Sequence, residues 1–497
     1  MPAPAPHANQ NTQAVPLVMV GGTKYGRYNK ISDEQTWNMI VSDDWLVPFA
    51  GFKNVLTTTT QAPGRGLYSS VRGKIMIAVF GNAVFSINTA LQATDIGTLQ
   101  TTSGDVYISE NNNNQITITD GLLVYVYNYS AGTFLYSTTG VPIPDVSFLF
   151  PYQNPGYISF QNGRLIIVSN GTTLWALSKL NDATVWEGTG TFVGSLQSKP
   201  DFAQAVVPLP GGGNNIIVLG KTVTEQWQDI GAKLFPYQRS STTSVDYGCL
   251  NPSTVASLKD FVVWLGVNEQ SGPTVMVFNG QSINQISTDG LNYKLGNLTD
   301  PTNCTAFLFQ QDGHLIYQFT FVTDNLTYAY DFNSQLFFSI SDENMNYHPA
   351  REVVYFNNNY YFIRLNGGNL YLFDAILENF QYSDTDIKQI PRIRITAPAR
   401  QPSQRMLIMK SAGFTIENGE LNDPLDPITS ARVDLSISRD GGETFGSSYG
   451  LDMQPTGKRR SRFIYQRLGQ FNDATLQFRF WGFKRFLCTN GEIELYE

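Results

Sequence analysis

The stretch GKIMIAVFGNAVFSIN, residues 73–88, holds two runs of β-branched, aromatic and other apolar residues on either side of Gly81-Asn82. Residues of that kind favour a pleated, buried strand, and Gly and Asn tolerate the backbone angles of a tight turn, so the stretch reads as a β-hairpin. Six further stretches have the same make-up: DGLLVYVYNYSAGTFLYST, GRLIIVSNGTTLWALS, NNIIVLGKTVTEQWQDI, DFVVWLGVNEQSGPTVMVFNG, GHLIYQFTFVTDNLTYAYD and NNYYFIRLNGGNLYLFD. The seven begin at Gly73, Asp120, Gly163, Asn214, Asp260, Gly313 and Asn358, at separations of 47, 43, 51, 46, 53 and 45 residues. That spacing leaves room for four short strands per unit, as in propeller blades, and is too wide for the roughly 8–12-residue spacing of a simple sandwich. One such hairpin cannot bury both its faces alone, whereas six or seven sheets packed radially bury them and expose only short edges. No WD or kelch signature accompanies the repeat, so the spacing carries the reading.

Beyond the segment QYSDTDIKQIPRIRITAPARQPSQR the period changes. The stretches RMLIMKSAGFTIENG, ARVDLSISRDGGETFGSSYGL, KRRSRFIYQRLGQF, ATLQFRFWGFKR and GEIELYE read as strands between polar turns, enough for an antiparallel sandwich. Strict alternation places Val433, Leu435 and Ile437 on one face of their strand. At the other end, residues 1–16 are Pro, Ala and polar without periodicity and read as a mobile arm. Residues 17–59 read as extended chain; the Ser32 to Gln35 spacing is compatible with a short helix, but Pro, Gly and aromatic content favours strand. The expected fold is therefore all-β: an arm (1–16), an extended segment (17–59), a β-propeller of six or seven blades (60–386) and an antiparallel, sandwich-like β domain (387–497).

Composition narrows the function. The chain has 497 residues, 15% charged and 13% aromatic, with 39 Asn, a mixture unlike acidic disorder or a coiled coil. No apolar run approaches the roughly 18 residues of a membrane span, and MPAPAPHANQNTQ lacks the basic start and apolar stretch of a signal peptide, so a soluble protein without a membrane anchor is expected. Cys249, Cys304 and Cys488 share no short spacing, which speaks against a disulfide framework or a CxxC zinc site and for small buried hydrophobes. With only His7, His314 and His348, imidazole catalysis and metal binding have little material, and neither a metal site nor a cofactor is expected. Net charge is −8: from Pro391 onward 15 Lys and Arg stand against 12 Asp and Glu, while the first 390 residues hold 18 against 29, or −11. A groove that grips nucleic acid would carry the opposite sign.

The sharpest local motif is Ser438-Arg439-Asp440-Gly441-Gly442-Glu443-Thr444-Phe445, which resembles the Asp-box of sialidases, S-x-D-x-G-x-T-F/W. Asp440 is suited to accept backbone N–H groups across a tight hairpin, the glycines permit positive φ, and Phe445 is expected to plug the turn into the core. The box is structural even in sialidases, so Ser438, Asp440, Gly442, Thr444 and Phe445 are expected to shape a turn, and no catalytic residue is assigned. Lys458, Arg459, Arg460 and Arg462, with Arg467 close behind, form a basic cluster suited to DNA phosphates or an acidic partner, or equally to a solvated strand edge. Gly220-Lys221-Thr222 after Gly211–Gly213 imitates a phosphate loop but lies between two β-rich runs, where no helix can follow. NNNN at 111–114 and DENMN at 342–346 lack the pattern of a calcium loop and read as turn tips. Tyr125 to Tyr129 and Tyr360-Tyr361-Phe362 resemble base-stacking platforms, yet in a β-rich chain they belong more naturally to blade cores.

Taken in order along the chain, these features resemble the packaged-DNA stabilisation proteins of short-tailed bacteriophages, the tail hub or tail nozzle proteins. The resemblance rests on Pro16-Leu17-Val18-Met19-Val20-Gly21, Trp37-Asn38-Met39-Ile40, Arg65-Gly66-Leu67-Tyr68, IIVLGKTVTEQWQDIGA, Tyr247-Gly248-Cys249 and the closing SRDGGETF, YQRLGQF and FRFWGF series. At Pro48-Phe49-Ala50-Gly51 the chain departs from relatives in which Pro and Gly are adjacent. The resemblance implies a homo-hexameric ring below the head-to-tail connector that extends the DNA exit channel, stands close to genomic DNA without reading it, and retains packaged DNA together with a plug or needle protein. It further implies tail fibres or spikes attached around the ring, synthesis in the host bacterial cytoplasm and residence in the virion. Two other readings of the same features are a sialidase-like propeller glycosidase and a carbohydrate-binding tail fibre module.

Overall fold

All seven hairpins form; six are the middle pair of a four-stranded antiparallel unit, and the one at 120–138 supplies the third and fourth strands of its blade. The structure is a computed structural model and describes residues 12–26, 34–138, 147–187, 192–209, 213–233, 235–258, 260–377, 379–400, 406–418, 431–453, 460–482 and 485–496. In blade 1 (64–98) the hairpin strands Ile75–Phe80 and Ala83–Asn88 pair with Ile77 opposite Ser86. The strand Gly64–Ser70 precedes them and Ala93–Thr98 follows. Blades 2 (107–149), 3 (155–195), 4 (203–245), 5 (248–285), 6 (304–340) and 7 (350–374) repeat the plan.

The middle strands are apolar along their whole length because both faces are covered. In Ile75–Phe80, Met76, Ala78 and Phe80 pack with Tyr361 and Ile363 of blade 7, while Ile77 and Val79 pack with Ile116 and Ile118 of blade 2. Blade 3 shows the same division: Leu165 and Ile167 meet Val124 and Val126, and Ile166, Val168 and Trp175 meet Ile216, Val218 and Trp227. Further cores join blades 4 and 5 through Leu219 and Trp264, blades 5 and 6 through Leu265 and Phe319, and blades 6 and 7 through Phe309 and Phe373. Seven units thus share seven cores, and the ring is closed. Six of the sheets stand as blades by themselves, and the remaining place in the ring is filled by the first four strands of a ten-stranded sheet.

The propeller starts earlier than residue 60. Gly51–Thr57 pairs antiparallel with Asn369–Asp374, Phe52 opposite Phe373, and so supplies the outer strand of blade 7 before blade 1 begins. Ring closure therefore joins segments more than 300 residues apart, which no local pattern can display. The last part of the expected arm is instead a strand: Thr12–Leu17 runs antiparallel to Gly491–Tyr496, Thr12 opposite Tyr496. Residues 1–11 lie outside the described residues.

Nor is the extended segment a separate unit. Met39–Ser42 and Trp45–Pro48 form a hairpin in the same sheet as Thr12–Leu17, Gly491–Tyr496, Leu407–Asn418, Phe486–Cys488 and Arg460–Phe471. The facing sheet contains Gln35–Trp37, Arg392–Ile395, Asp473–Trp481, Arg432–Ser438 and Tyr449–Asp452. Between them Ile40, Leu46, Phe414, Val433, Leu435, Phe463, Phe478 and Phe480 make one core. The second sheet is continuous with blade 6: Trp37 bridges Ser339 in parallel on one side and Ile393 antiparallel on the other. Propeller and sandwich therefore share backbone hydrogen bonding. Arg394, fully buried, holds the incoming chain by donating to Glu34 at 2.8 Å, Thr36 Oγ1, Val18 O and Gly22 O.

Candidate functional site

Three places carry the polar chemistry: the ring axis, the Asp-box turn and the arginine-bearing edge of the sandwich. At the axis the starts of the inner strands enclose a cavity of about 150 Å³ lined by Arg65, Asp105, Tyr107, Tyr157, Arg351 and Glu352 among others. Each charge there already has a protein partner. Arg351 Nη2 donates to Asp105 Oδ1 at 2.5 Å, Leu67 N donates to Glu352 Oε2 at 2.6 Å, and Arg65 spends its guanidinium on the carbonyls of Gly81, Thr101, Ser103 and Gly104. Burial pushes the Glu352 carboxyl up to about 8. The same cause raises the phenols of Tyr107 and Tyr157, the opposite of what a tyrosine nucleophile needs. Small-molecule sites run to roughly 300–1,000 Å³, so a cavity of this size does not admit a sugar ring with its neighbours. Arg65 stands in one of the motifs that carry the resemblance, but Asp105, Arg351 and Glu352 carry no sequence signal: Asp105 and Arg351 lie 246 positions apart and just outside the conspicuous hairpins.

The turn at 438–445 joins Arg432–Ser438 to Tyr449–Asp452. Asp440 accepts from Ser438 Oγ at 2.6 Å, from Glu443 N and Thr444 N at 3.0 Å each, and from Thr444 Oγ1. These donors hold its carboxyl far below the usual carboxylate range, Ser438 contributing most. Gly442 N donates to Ser438 Oγ at 2.8 Å, and Gly441 and Gly442 take φ of 79° and 92°. Phe445 does not plug the core; it stays half-buried, because Val433, Leu435 and Ile437 already fill the space beneath the strand.

Of the basic cluster, Lys458 and Arg459 lie outside the described residues. Arg460 and Arg462 begin the strand Arg460–Phe471, in which exposed and buried positions alternate, and both are exposed. Arg460 pairs with Glu417. Among the described residues the strand pairs with one neighbour, Leu407–Asn418, and Arg439 spends its guanidinium on two of its carbonyls, Leu468 O and Gln470 O. A bulge sets Arg467 and Leu468 against Lys410, with Arg467 at φ 60°.

The remaining motifs resolve as turns and core. Gly220-Lys221-Thr222 is a hairpin turn whose Thr222 N donates to Asp201 at 2.6 Å. Asn111 and Asp342 accept backbone N–H groups within their own turns. Tyr125, Tyr361 and Phe362 are blade core. All three cysteines are buried, and burial pushes the Cys249 thiol up to about 12. Among the described residues no group of three or more His, Cys, Asp or Glu is placed to hold a metal ion, and no helix is long and apolar enough to cross a membrane.

A closed ring of β-blades with protein side chains across its axis, continuous with a β-sandwich, defines a β-propeller protein. A family model described as the β-propeller of bacteriophage P22 Gp10, a phage stabilisation family, matches residues 34–377. The chain belongs to that family of phage structural proteins. No curated protein matches it. Among solved structures, virginiamycin B lyase from Staphylococcus aureus is 11% identical over 65% of this chain and 99% of its own, with a TM-score of 0.45. The extracellular domain of a two-component system from B. thetaiotaomicron is 13% identical over 65% of this chain and 39% of its own, TM-score 0.43. The WD40 propeller of Doa1 is 11% identical over 66% and 97%, TM-score 0.41. Likenesses this distant say nothing about activity.

Proposed function

We propose that the protein is a non-enzymatic wall component of a phage tail, six copies forming a nozzle or hub ring below the head-to-tail connector. The ring extends the DNA exit channel, helps a plug or needle protein retain the packaged genome, and offers its outside to tail fibres or spikes. One observation carries this reading: the sheet of blade 6 continues into the sandwich through the parallel bridge between Trp37 and Ser339, tying the two parts together as a pressure-bearing wall requires. The −11 balance of residues 1–390 supports a lumen that repels DNA phosphates and lets the genome slide; six copies at −8 amount to −48. Ring closure needs a heterologous contact, one patch meeting a different patch on the next copy.

The test is the mass of the purified protein, alone and mixed with the connector ring, together with its retention on duplex DNA. A closed six-copy assembly with no retention at moderate salt is expected. A protein that stays monomeric even on the connector, or that turns over a glycoside, overturns the proposal.

A further inference from the structure

Among the described residues the strand Arg460–Phe471, twelve residues long, pairs with one neighbour; Arg439 donates to its Leu468 O and Gln470 O, and Arg460, Arg462 and Arg467 stand at exposed positions. Long free edges invite indiscriminate strand addition, and charge and bulges guard against it. Both guards are present here, so what this edge offers a partner is guanidinium groups rather than backbone.

Elsewhere on the molecule, between blades 6 and 7, lies a concave pocket of about 330 Å³ of the opposite character. Asp342, Glu343 and Asp386 line it together with Tyr382 and one cation, Arg364, and Lys388 pairs with Asp386 at 3.0 Å, so Asp342 and Glu343 are the carboxylates left to meet a partner's cation. Tyr382 donates its hydroxyl to Glu343 Oε2 at 2.8 Å, fixing that carboxylate and the ring face beside it. Arg364 lies over the Tyr382 ring at 4.5 Å, so one face of that ring is already taken by a guanidinium. Carboxylates beside a phenol ring suit a second arginine, since its planar fork matches carboxylates and stacks on aromatics.

We infer that the arginine edge of one copy docks into the Asp342–Glu343–Asp386–Tyr382 pocket of the next copy, giving the ring its heterologous contact. The occupant is a second copy of this chain, argued from charge complementarity between a basic edge and an acidic hollow on the same molecule. The inference rests on the proposed ring and names the contact that closes it.

Arg462→Glu with Arg467→Glu reverses the edge, and Glu343→Arg with Asp386→Arg reverses the pocket. Native mass spectrometry and sedimentation on connector rings are expected to show roughly tenfold or greater weakening of assembly for either double variant, with recovery when the two are mixed. Assembly of the unchanged protein is also expected to weaken as salt rises. Circular dichroism and melting curves matching the parent exclude misfolding as the cause; a variant that fails this check is replaced by Arg462→Gln with Arg467→Gln or by Glu343→Gln with Asp386→Asn. If the parent assembles and folded variants assemble equally well, this contact is wrong while the ring stands. Should the parent itself never assemble, ring and contact fall together.

Discussion

At the scale of single residues, a few buried polar groups take the place of water for backbone donors inside the blades. Glu225 is fully buried and accepts from Gln197 N at 2.8 Å, Ser198 N and Oγ, and Trp227 Nε1 at 2.9 Å, tying the entry of blade 4 to its third strand. Glu225→Ala leaves those donors unpaired and is expected to cost about 3 kcal/mol, read as a lower urea midpoint. His348 is enclosed by Phe52, Phe362 and Phe373, and its Nδ1 accepts from Gln318 Nε2 and Ala350 N, so the neutral ring is the one that fits. Burial, aided by the Arg364 charge, pushes its pKa down to about 3. The unfolded chain takes up the proton first, so this stability is whole above an unfolded pKa of about 6.5 and drains away as pH falls toward 3. Between pH 6.5 and 4.5 the loss is expected to be about 2–3 kcal/mol, and His348→Gln, which cannot take the proton, is expected to flatten that part of the unfolding profile.

At the scale of elements, the strand Gly51–Thr57 matters more than its length suggests, because it closes the ring. Phe52 in it is fully buried, stacked on Phe380 at 4.6 Å and edge-on to Phe362 and Tyr371. Phe52→Ala is expected to cost about 3–5 kcal/mol and to speed hydrogen exchange of the amides in 369–374 above all others in blade 7. The hairpins were legible in the sequence because both partners are neighbours and both faces are buried: Ile75–Phe80 announces itself by composition alone. Inner strands such as Gly64–Ser70 are more polar and were hidden. Closing strands were hidden for another reason, since nothing in FKNVLT points to a partner at Asn369–Asp374. The axial residues Asp105, Arg351 and Glu352 converge only once seven units are arranged in a circle. The Asp-box turn was readable because Asp440, Ser438 and Thr444 satisfy one another within a few residues.

For the molecule as a whole, a shared ten-stranded sheet and one core spanning blades 6 and 7 and the sandwich make independent unfolding of the two parts unfavourable. Calorimetry is expected to show one transition; two well-separated peaks would mean that the pairing at Trp37 contributes little. A fragment of residues 60–386 lacks the strand 51–57, exposes the flank of Asn369–Asp374 and is expected to aggregate, whereas the intact chain remains soluble under the same conditions. The pairing of Thr12–Leu17 with Gly491–Tyr496 also sets a clock on biosynthesis. At translation speeds of about 5–20 residues per second, the first strand waits roughly 25–95 s for its mate to leave the ribosome. For that interval this short, largely solvent-facing strand has no partner for its backbone N–H and C=O groups, so its pairing is among the last contacts of the fold to form.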